Sequence, residues 1–216
     1  MASALMVVVG CGSSTSAPEP RRPAGQGPPA TVRPPTFSTN DASWGRFHSK
    51  RLQLSVPLPD GRSWRIDDHS GPSLVAEHAG TASRVTIATT NEEGLVNRHR
   101  CEVRARALGF VPEGSLTTVD DEAVTFPDAY DSRVWIALDA GASSGRLTGH
   151  VFVFGAFLRR CLFVDVASTV PSAAEEDVLS SRLAIARARI VGGLKLDPLR
   201  TTDDASVPRD RPDIRR

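Results

Sequence analysis

Lysine is almost absent from this 216-residue sequence: Lys50 and Lys195 are the only two, and arginine supplies the remaining cations. The 26 basic and 25 acidic residues nearly cancel, leaving a formal net charge of +1. Such a balance offers no surplus of cations for a polyphosphate backbone, so nucleic acid is excluded as a main partner. The pairs Arg21-Arg22, Arg159-Arg160 and Arg215-Arg216 are scattered and lack interleaved aromatics, so they read as solvated surface. The preference for arginine over lysine reads as the codon usage of a GC-rich genome. Long apolar runs are also missing, which excludes a membrane-crossing helix of ~20 apolar residues. There is no Gly-rich phosphate loop and no dinucleotide-binding fingerprint. None of the five histidines, His48, His69, His78, His99 and His150, falls in H-x-x-x-H or paired Cys/His spacing. Zinc is therefore not signalled, and no metal or cofactor is expected.

Cysteine is scarce as well, with three residues at positions 11, 101 and 161. The first is the most informative. Val7-Val8-Val9-Gly10-Cys11, followed by Gly12-Ser13-Ser14, reads as a lipoprotein signal. Cys11 is then the acylated first residue of the mature protein. The apolar stretch is short for a secretory signal and no Lys or Arg precedes it. A start codon placed too late would account for both defects. The alternative is an apolar N-terminus whose cysteine is accidental. Diacylglycerol on the Cys11 thiol, together with the other acyl chain of a lipoprotein, would anchor the protein stably at a membrane, at ~0.8 kcal/mol per buried methylene.

Residues 12–36 are dominated by Ser, Pro, Gly and Ala with no periodic apolar pattern. A segment of that kind buries too little surface to offset its ordering entropy and is expected to be a disordered tether. The expected organisation is thus a signal and lipobox at 1–11, a tether at 12–43, one domain at 44–196 and a charged tail at 197–216. Gly12 rather than Asp after Cys11 gives no inner-membrane retention signal, which favours the periplasmic face of the outer membrane.

Three cysteines leave an odd thiol in an oxidising compartment. If Cys11 carries lipid, Cys101 and Cys161 remain as a candidate disulfide. Closing a loop of about 60 residues would stabilise the fold by ~4 kcal/mol in the chain-entropy model. Two buried free thiols acting as small hydrophobes are the other reading.

Hydrophobic periodicity sets the fold class. Arg51–Leu58 alternates Leu52, Leu54 and Val56 with polar neighbours, and Pro59-Asp60-Gly61 marks a turn into Ser63–Asp67 with Trp64 and Ile66. This predicts a hairpin. Short strands follow at 73–78 and 83–89. A helix is predicted over Asn91–Phe110, with Thr90 and Glu93 as a capping box. Its main apolar stripe is Leu95, Val96, Val103, Ala107 and Phe110 with His99 alongside; Cys101, Ala105 and Leu108 form a weaker opposite stripe. Three strands at 133–138, 149–157 and 160–168 come next, the last two as a hairpin. A final helix over about 173–194 is announced by Pro171-Ser172 with Glu175 as a second capping box. Its apolar positions are Val178, Leu179, Leu183, Ala186, Ile190 and Leu194. The order strands, helix, strands, helix is α+β: a mostly antiparallel sheet covered by helices.

The run Leu52-x-Leu54-x-Val56-Pro57-x-Pro59-x-Gly61-x-x-Trp64 resembles the opening of PsbP-like and DcrB-like domains. There an N-terminal strand passes through a polar turn into a second strand bearing Trp. The later hairpin and C-terminal helix extend the resemblance over most of residues 46–194. It implies an α/β/α sandwich used for binding or assembly, generally without enzymatic activity, and many bacterial members are tethered lipoproteins. It transfers no functional residue.

Other chemistry is weaker. Gly141-Ala142-Ser143-Ser144-Gly145 matches G-x-S-x-G, but another strand follows, whereas a nucleophile elbow requires a strand-to-helix turn. His69 and His78 could converge across a hairpin with Asp67, Asp68 and Glu77, though surface positions are the simpler reading. Asp120-Asp121-Glu122 and Asp67-Asp68 are carboxylate clusters expected in loops, without calcium-loop spacing. Asp165 within an apolar strand requires a partner, expected to be Arg159 or an arginine of a covering helix.

The expectation is a lipid-anchored envelope protein that binds a protein or envelope component and is not an enzyme. The rivals are an envelope serine hydrolase built from Ser143 or Ser144, His150 and Asp139, and a small-ligand carrier with a cleft between sheet and helix.

Overall fold

The computed structural model describes residues 35–114, 116–139 and 145–197. Cys11, Ser143, Ser144, the signal, most of the tether and almost all of the tail lie outside them.

The architecture is α+β with two antiparallel sheets. A small sheet holds β1 (Gly45–Ser49), β2 (Leu54–Leu58) and β10 (Lys195–Leu196) in the order β1-β2-β10. The large, seven-stranded sheet holds β3 (Trp64–Asp67), β4 (Leu74–His78), β5 (Ser83–Asn91), β6 (Thr117–Thr125), β7 (Asp131–Asp139), β8 (Leu147–Phe157) and β9 (Arg160–Val170). Its order is β3-β4-β5-β9-β8-β7-β6. The helices are α1 (Arg98–Ala107) and α2 (Glu176–Ile185), the latter prolonged by a wider π segment, Ala186–Val191.

Alternation along the strands places α1 and α2 on opposite faces of the large sheet. Val85, Ile87, Val151, Val153, Val164 and Val166 share a core with α2 and with Leu52, Leu54, Val56 and Leu58 of the small-sheet region. Phe152, Phe154, Cys161 and Phe163 point the other way and pack with Cys101 and Ala105 of α1. The expected apolar positions of the final helix, Val178 to Leu194, are all buried. Cys101 and Cys161 form a disulfide, with their Cα atoms 5.4 Å apart, that bolts α1 to β9.

Several expectations are corrected. The hairpin between 51–58 and 63–67 does not form: β2 pairs with β1 and β10, while β3 pairs with β4 in the other sheet. The turn between them is real. Asp60 adopts a left-handed conformation at φ 50°, and the Trp64 indole donates to the Pro59 carbonyl. Gly61 packs so close to Gly45 that a Cβ there would lie 2.9 Å from the Gly45 Cα. The chain therefore crosses between sheets where a simple hairpin would have returned along one.

The first helix starts seven residues later than predicted. Its N-cap is Asn97, whose Oδ1 accepts the Arg100 N–H at 2.9 Å, while Thr90 stays in β5 and bonds Glu92. The weaker stripe is the buried one. Cys101 and Ala105 face the sheet, whereas Leu95 and Val103 are 73% and 54% exposed and His99 lies on the surface. Small side chains let the helix approach closely enough for the disulfide. The second capping box is also absent, since Ser172 makes no side-chain cap hydrogen bond.

Asp120-Asp121-Glu122 belongs to the edge strand β6 and not to a loop. Charges on an edge strand discourage pairing with another chain. The packed domain reaches back before residue 44: Phe37 is buried against Trp64 and His78, with ring centroids 6.3 Å away from each. Arg182 of α2, itself buried, holds this segment through the Pro35 carbonyl. Its other hydrogen bonds go to the carbonyls of Thr81 and Thr169 and to the Ser168 hydroxyl. Burial without a directly bonded carboxylate pushes the Arg182 pKa down.

Candidate functional site

Where the two sheets meet, an edge pocket of about 250 Å³ opens among Asp128, Ala129, Tyr130, Phe157, Arg160, Leu196 and Asp197. Its parts come from three distant stretches of sequence. Tyr130 is set by a tight turn in which its N–H donates to Pro127 O at 3.1 Å and its carbonyl accepts from Phe126 N–H at 2.9 Å. Its ring stacks on Phe157 at 5.4 Å. Phe157 and Arg160 are opposite each other at the tight end of the β8–β9 hairpin. The Arg160 guanidinium donates to the Leu52 carbonyl at 3.0 Å, which fixes it between the sheets. Leu196 and Asp197 arrive with β10, and Asp197 is tied to His48 Nε2 at 2.9 Å.

The floor of this pocket is apolar and its rim is charged. Burial raises the Tyr130 hydroxyl pKa; Arg160 acts to lower it and Asp128 to raise it. Both charges are thus felt at the phenol oxygen. Among the described residues the Tyr130 hydroxyl has no hydrogen-bond partner. A phenol, a cation and an anion around an aromatic floor make a binding geometry; no nucleophile–base pair accompanies them.

A second polar feature lies on the α1 face of the large sheet. His150 on β8 and Asp165 on β9 meet with Nδ1 3.0 Å from Oδ1. The imidazole lies flat on Phe152, centroids 4.9 Å apart. Asp165 therefore finds its partner in His150 and not in Arg159 or a helix arginine. Burial raises the Asp165 pKa, opposed by the hydrogen bond from His150. A hydrolase constellation would need His150 beside Asp139; His150 bonds Asp165, and the candidate serines 143 and 144 lie outside the described residues.

Another pocket lies between the edge of the large sheet and the C-terminal helix. Val119, Ile136 and Leu138 of the sheet face Ser180, Leu183 and Arg187 of the C-terminal helix across about 360 Å³. Arg187 spans it to Asp120 at 2.6 Å and also binds Glu122.

The remaining sequence-named residues are structural. Asp68 accepts from Ser49 Oγ and Arg51 Nη2, both at 3.1 Å. Asp67 caps the backbone of His69 and Ser70, which lowers its pKa to about 2. His78 bonds Thr81 at 2.8 Å, while His69 is exposed, so the two do not converge on a shared site. Among the described residues no three His, Cys, Asp or Glu side chains are grouped to hold a metal, and no helix is long and apolar enough to cross a membrane. The edge pocket was not foreseen, because its residues are adjacent only through the topology of two sheets.

No protein-family model matches the chain. No curated protein sequence matches it either. Among solved structures it is similar to a protein of Bacteroides thetaiotaomicron VPI-5482, with 11% identity and a TM-score of 0.36. The similarity covers 71% of this chain and 48% of the other, so the chain spans about half the length of that protein.

Proposed function

We propose that the chain is a lipid-anchored, extracytoplasmic binding domain acting at the bacterial envelope, without an enzymatic role of its own. The observation that carries this reading is the Cys101–Cys161 disulfide. Disulfides persist in oxidising compartments. Pairing these two uses up every cysteine but Cys11, which sits at the end of the apolar run where a lipobox places its acylated residue. The PsbP-like or DcrB-like assignment is part of the proposal. Two helices on opposite faces of an antiparallel sheet are the layering it implies. The partner is an envelope protein or component, and the outer membrane's periplasmic face is the proposed location.

Radiolabelled palmitate fed to the native host tests the anchor. Label in the wild-type protein that disappears in Cys11→Ala supports the proposal. Equal labelling of both, or none in either, overturns it.

The small-ligand carrier is a second reading, favoured by the cleft between Leu138 and Leu183. Native mass spectrometry of protein purified from its own host would show a retained small molecule if this reading holds, and the bare chain mass if it fails.

A further inference from the structure

The edge pocket combines features that single out one kind of occupant. It is built entirely within described residues, so it stands independently of the lipid anchor. At about 250 Å³ it lies just below the range of ~300–1,000 Å³ common for drug-sized ligands, so its occupant is small. Phe157, Leu196 and the ring of Tyr130, which stacks on Phe157, line it with apolar surface.

The polar groups divide by sign. Arg160 has one terminal nitrogen committed to Leu52 O at 3.0 Å, and that tie holds the guanidinium in place beside the pocket. That nitrogen also reaches Thr89 Oγ1 at 3.5 Å; the other guanidinium N–H groups have no hydrogen-bond partner among the described residues, and a planar guanidinium suits a carboxylate. The Tyr130 hydroxyl is a second donor. Asp128, exposed at the rim and outside every ion pair among the described residues, supplies an acceptor of opposite charge. The other acid, Asp197, is already engaged by His48. A simple carboxylate would leave Asp128 as a repulsive neighbour. A simple amine would face Arg160 in the same way. A zwitterion with an apolar side chain satisfies both.

We propose that this pocket binds a free α-amino acid with an apolar side chain. Its carboxylate sits against Arg160 and the Tyr130 hydroxyl, its ammonium against Asp128, and its side chain against Phe157 and Leu196. The contact is reversible and involves no covalent step.

Isothermal titration of the full chain with L-leucine and L-phenylalanine tests this. Saturable binding of at least one is expected. Leucine methyl ester, lacking the carboxylate, and 4-methylpentanoate, lacking the ammonium, are each expected to bind about tenfold or more weakly, a loss of ~1.4 kcal/mol per decade. Tyr130→Phe keeps the ring stack and Asp128→Asn keeps the shape, so both remain folded reporters should Arg160→Gln disturb the Leu52 contact. Each is expected to weaken L-leucine binding severalfold. No saturable binding of either amino acid up to about 10 mM overturns the proposal. So do equal affinities for the ester and the acid, or affinity unchanged in both Tyr130→Phe and Asp128→Asn. Palmitate labelling is indifferent to all of these results, so failure here and failure of the anchor are told apart.

Discussion

His150 and Asp165 are diagonal neighbours on adjacent strands: His150 registers opposite Ala167, two residues along from Asp165, and its Nδ1 reaches the carboxylate at 3.0 Å. The ring is roofed by aromatic surface and the carboxylate is largely shielded from water, so each group depends on the other. Replacing His150 by Leu strands the acid. A buried polar group left without its partner costs ~1–3 kcal/mol. Burial raises the Asp165 pKa, so the fold favours its protonated form more than the unfolded chain does. In His150→Leu, the contribution of Asp165 to stability should therefore be greatest at low pH and fall as pH rises through its folded pKa. His150→Leu/Asp165→Asn should lose that fall. Urea denaturation from pH 4 to pH 8 compares the two curves; parallel curves would refute the dependence.

The Cys101–Cys161 bridge closes a loop with a sequence separation of 60. In the chain-entropy model such a loop constrains the unfolded chain by ~4 kcal/mol. Cys101→Ser/Cys161→Ser should lower the unfolding free energy by about that amount, and a chemical denaturation series with and without reductant measures it. An indifferent Tm would mean that the other contacts of α1 hold it without help from the bridge.

Glu102 is the acid on which α1 meets β7. Burial pushes its pKa up, but hydrogen bonds from Arg133 and Arg106 outweigh this and hold it below the usual carboxylate range. Arg133 also clasps Asp121 of β6 at 2.6 Å and covers the Trp135 ring at 5.4 Å. Glu102→Ala removes the acceptor common to two guanidiniums, and a loss of about 2 kcal/mol is expected, since hydrogen bonds to charged groups contribute ~1.5–3 kcal/mol. Because the folded pKa is depressed, this stabilisation is present above the unfolded value and fades as pH falls through the folded one. Denaturation of wild type and Glu102→Ala at pH 7 and pH 2.5 should show the gap narrowing in acid.

Asp67 gives a sharper pH mark. Backbone N–H groups of His69 and Ser70 hold its carboxyl near pKa 2. Carboxyl-detected NMR titration should place its midpoint well below that of an ordinary aspartate, and a value near 4 would show that the turn does not form in solution.

The parts of the fold legible in sequence were those with strong local periodicity. The β8–β9 hairpin, β4, β5 and the buried face of α2 follow directly from apolar spacing. β6 did not, because Thr117–Thr125 is an edge strand whose pattern is charge and not apolar alternation. The α1 face was misjudged because small residues beside a disulfide outcompeted larger ones: Ala105 is buried and Val103 is not. Asp165 was correctly flagged as needing a partner, yet His150 could be named only once the β8–β9 register was fixed. Tyr130, Arg160 and Leu196 carry no mutual signal at all; only the meeting of two sheets makes them neighbours.

Gly149 shows how closely α2 lies on the sheet. It stands on β8 opposite Ser168, and a Cβ built there would sit 2.5 Å from Leu183 Cδ1 and 3.2 Å from Leu183 Cγ. Rotating the leucine tip about χ2 leaves the Cγ contact in place, and only a change of χ1 or a shift of the helix relieves it. Gly149→Ala should therefore push α2 outward, at a cost of ~1–3 kcal/mol typical of overpacking. Leu183→Ala alone should also destabilise, by ~2–5 kcal/mol, through the cavity it leaves. The two changes share one space, so their effects should not add. The double variant should be more stable than the sum of the single losses allows, because the new methyl occupies part of the vacated volume. A double-mutant cycle from urea denaturation measures this coupling. Strict additivity would mean that the helix does not ride on Gly149, and that some other contact sets the spacing between α2 and β8.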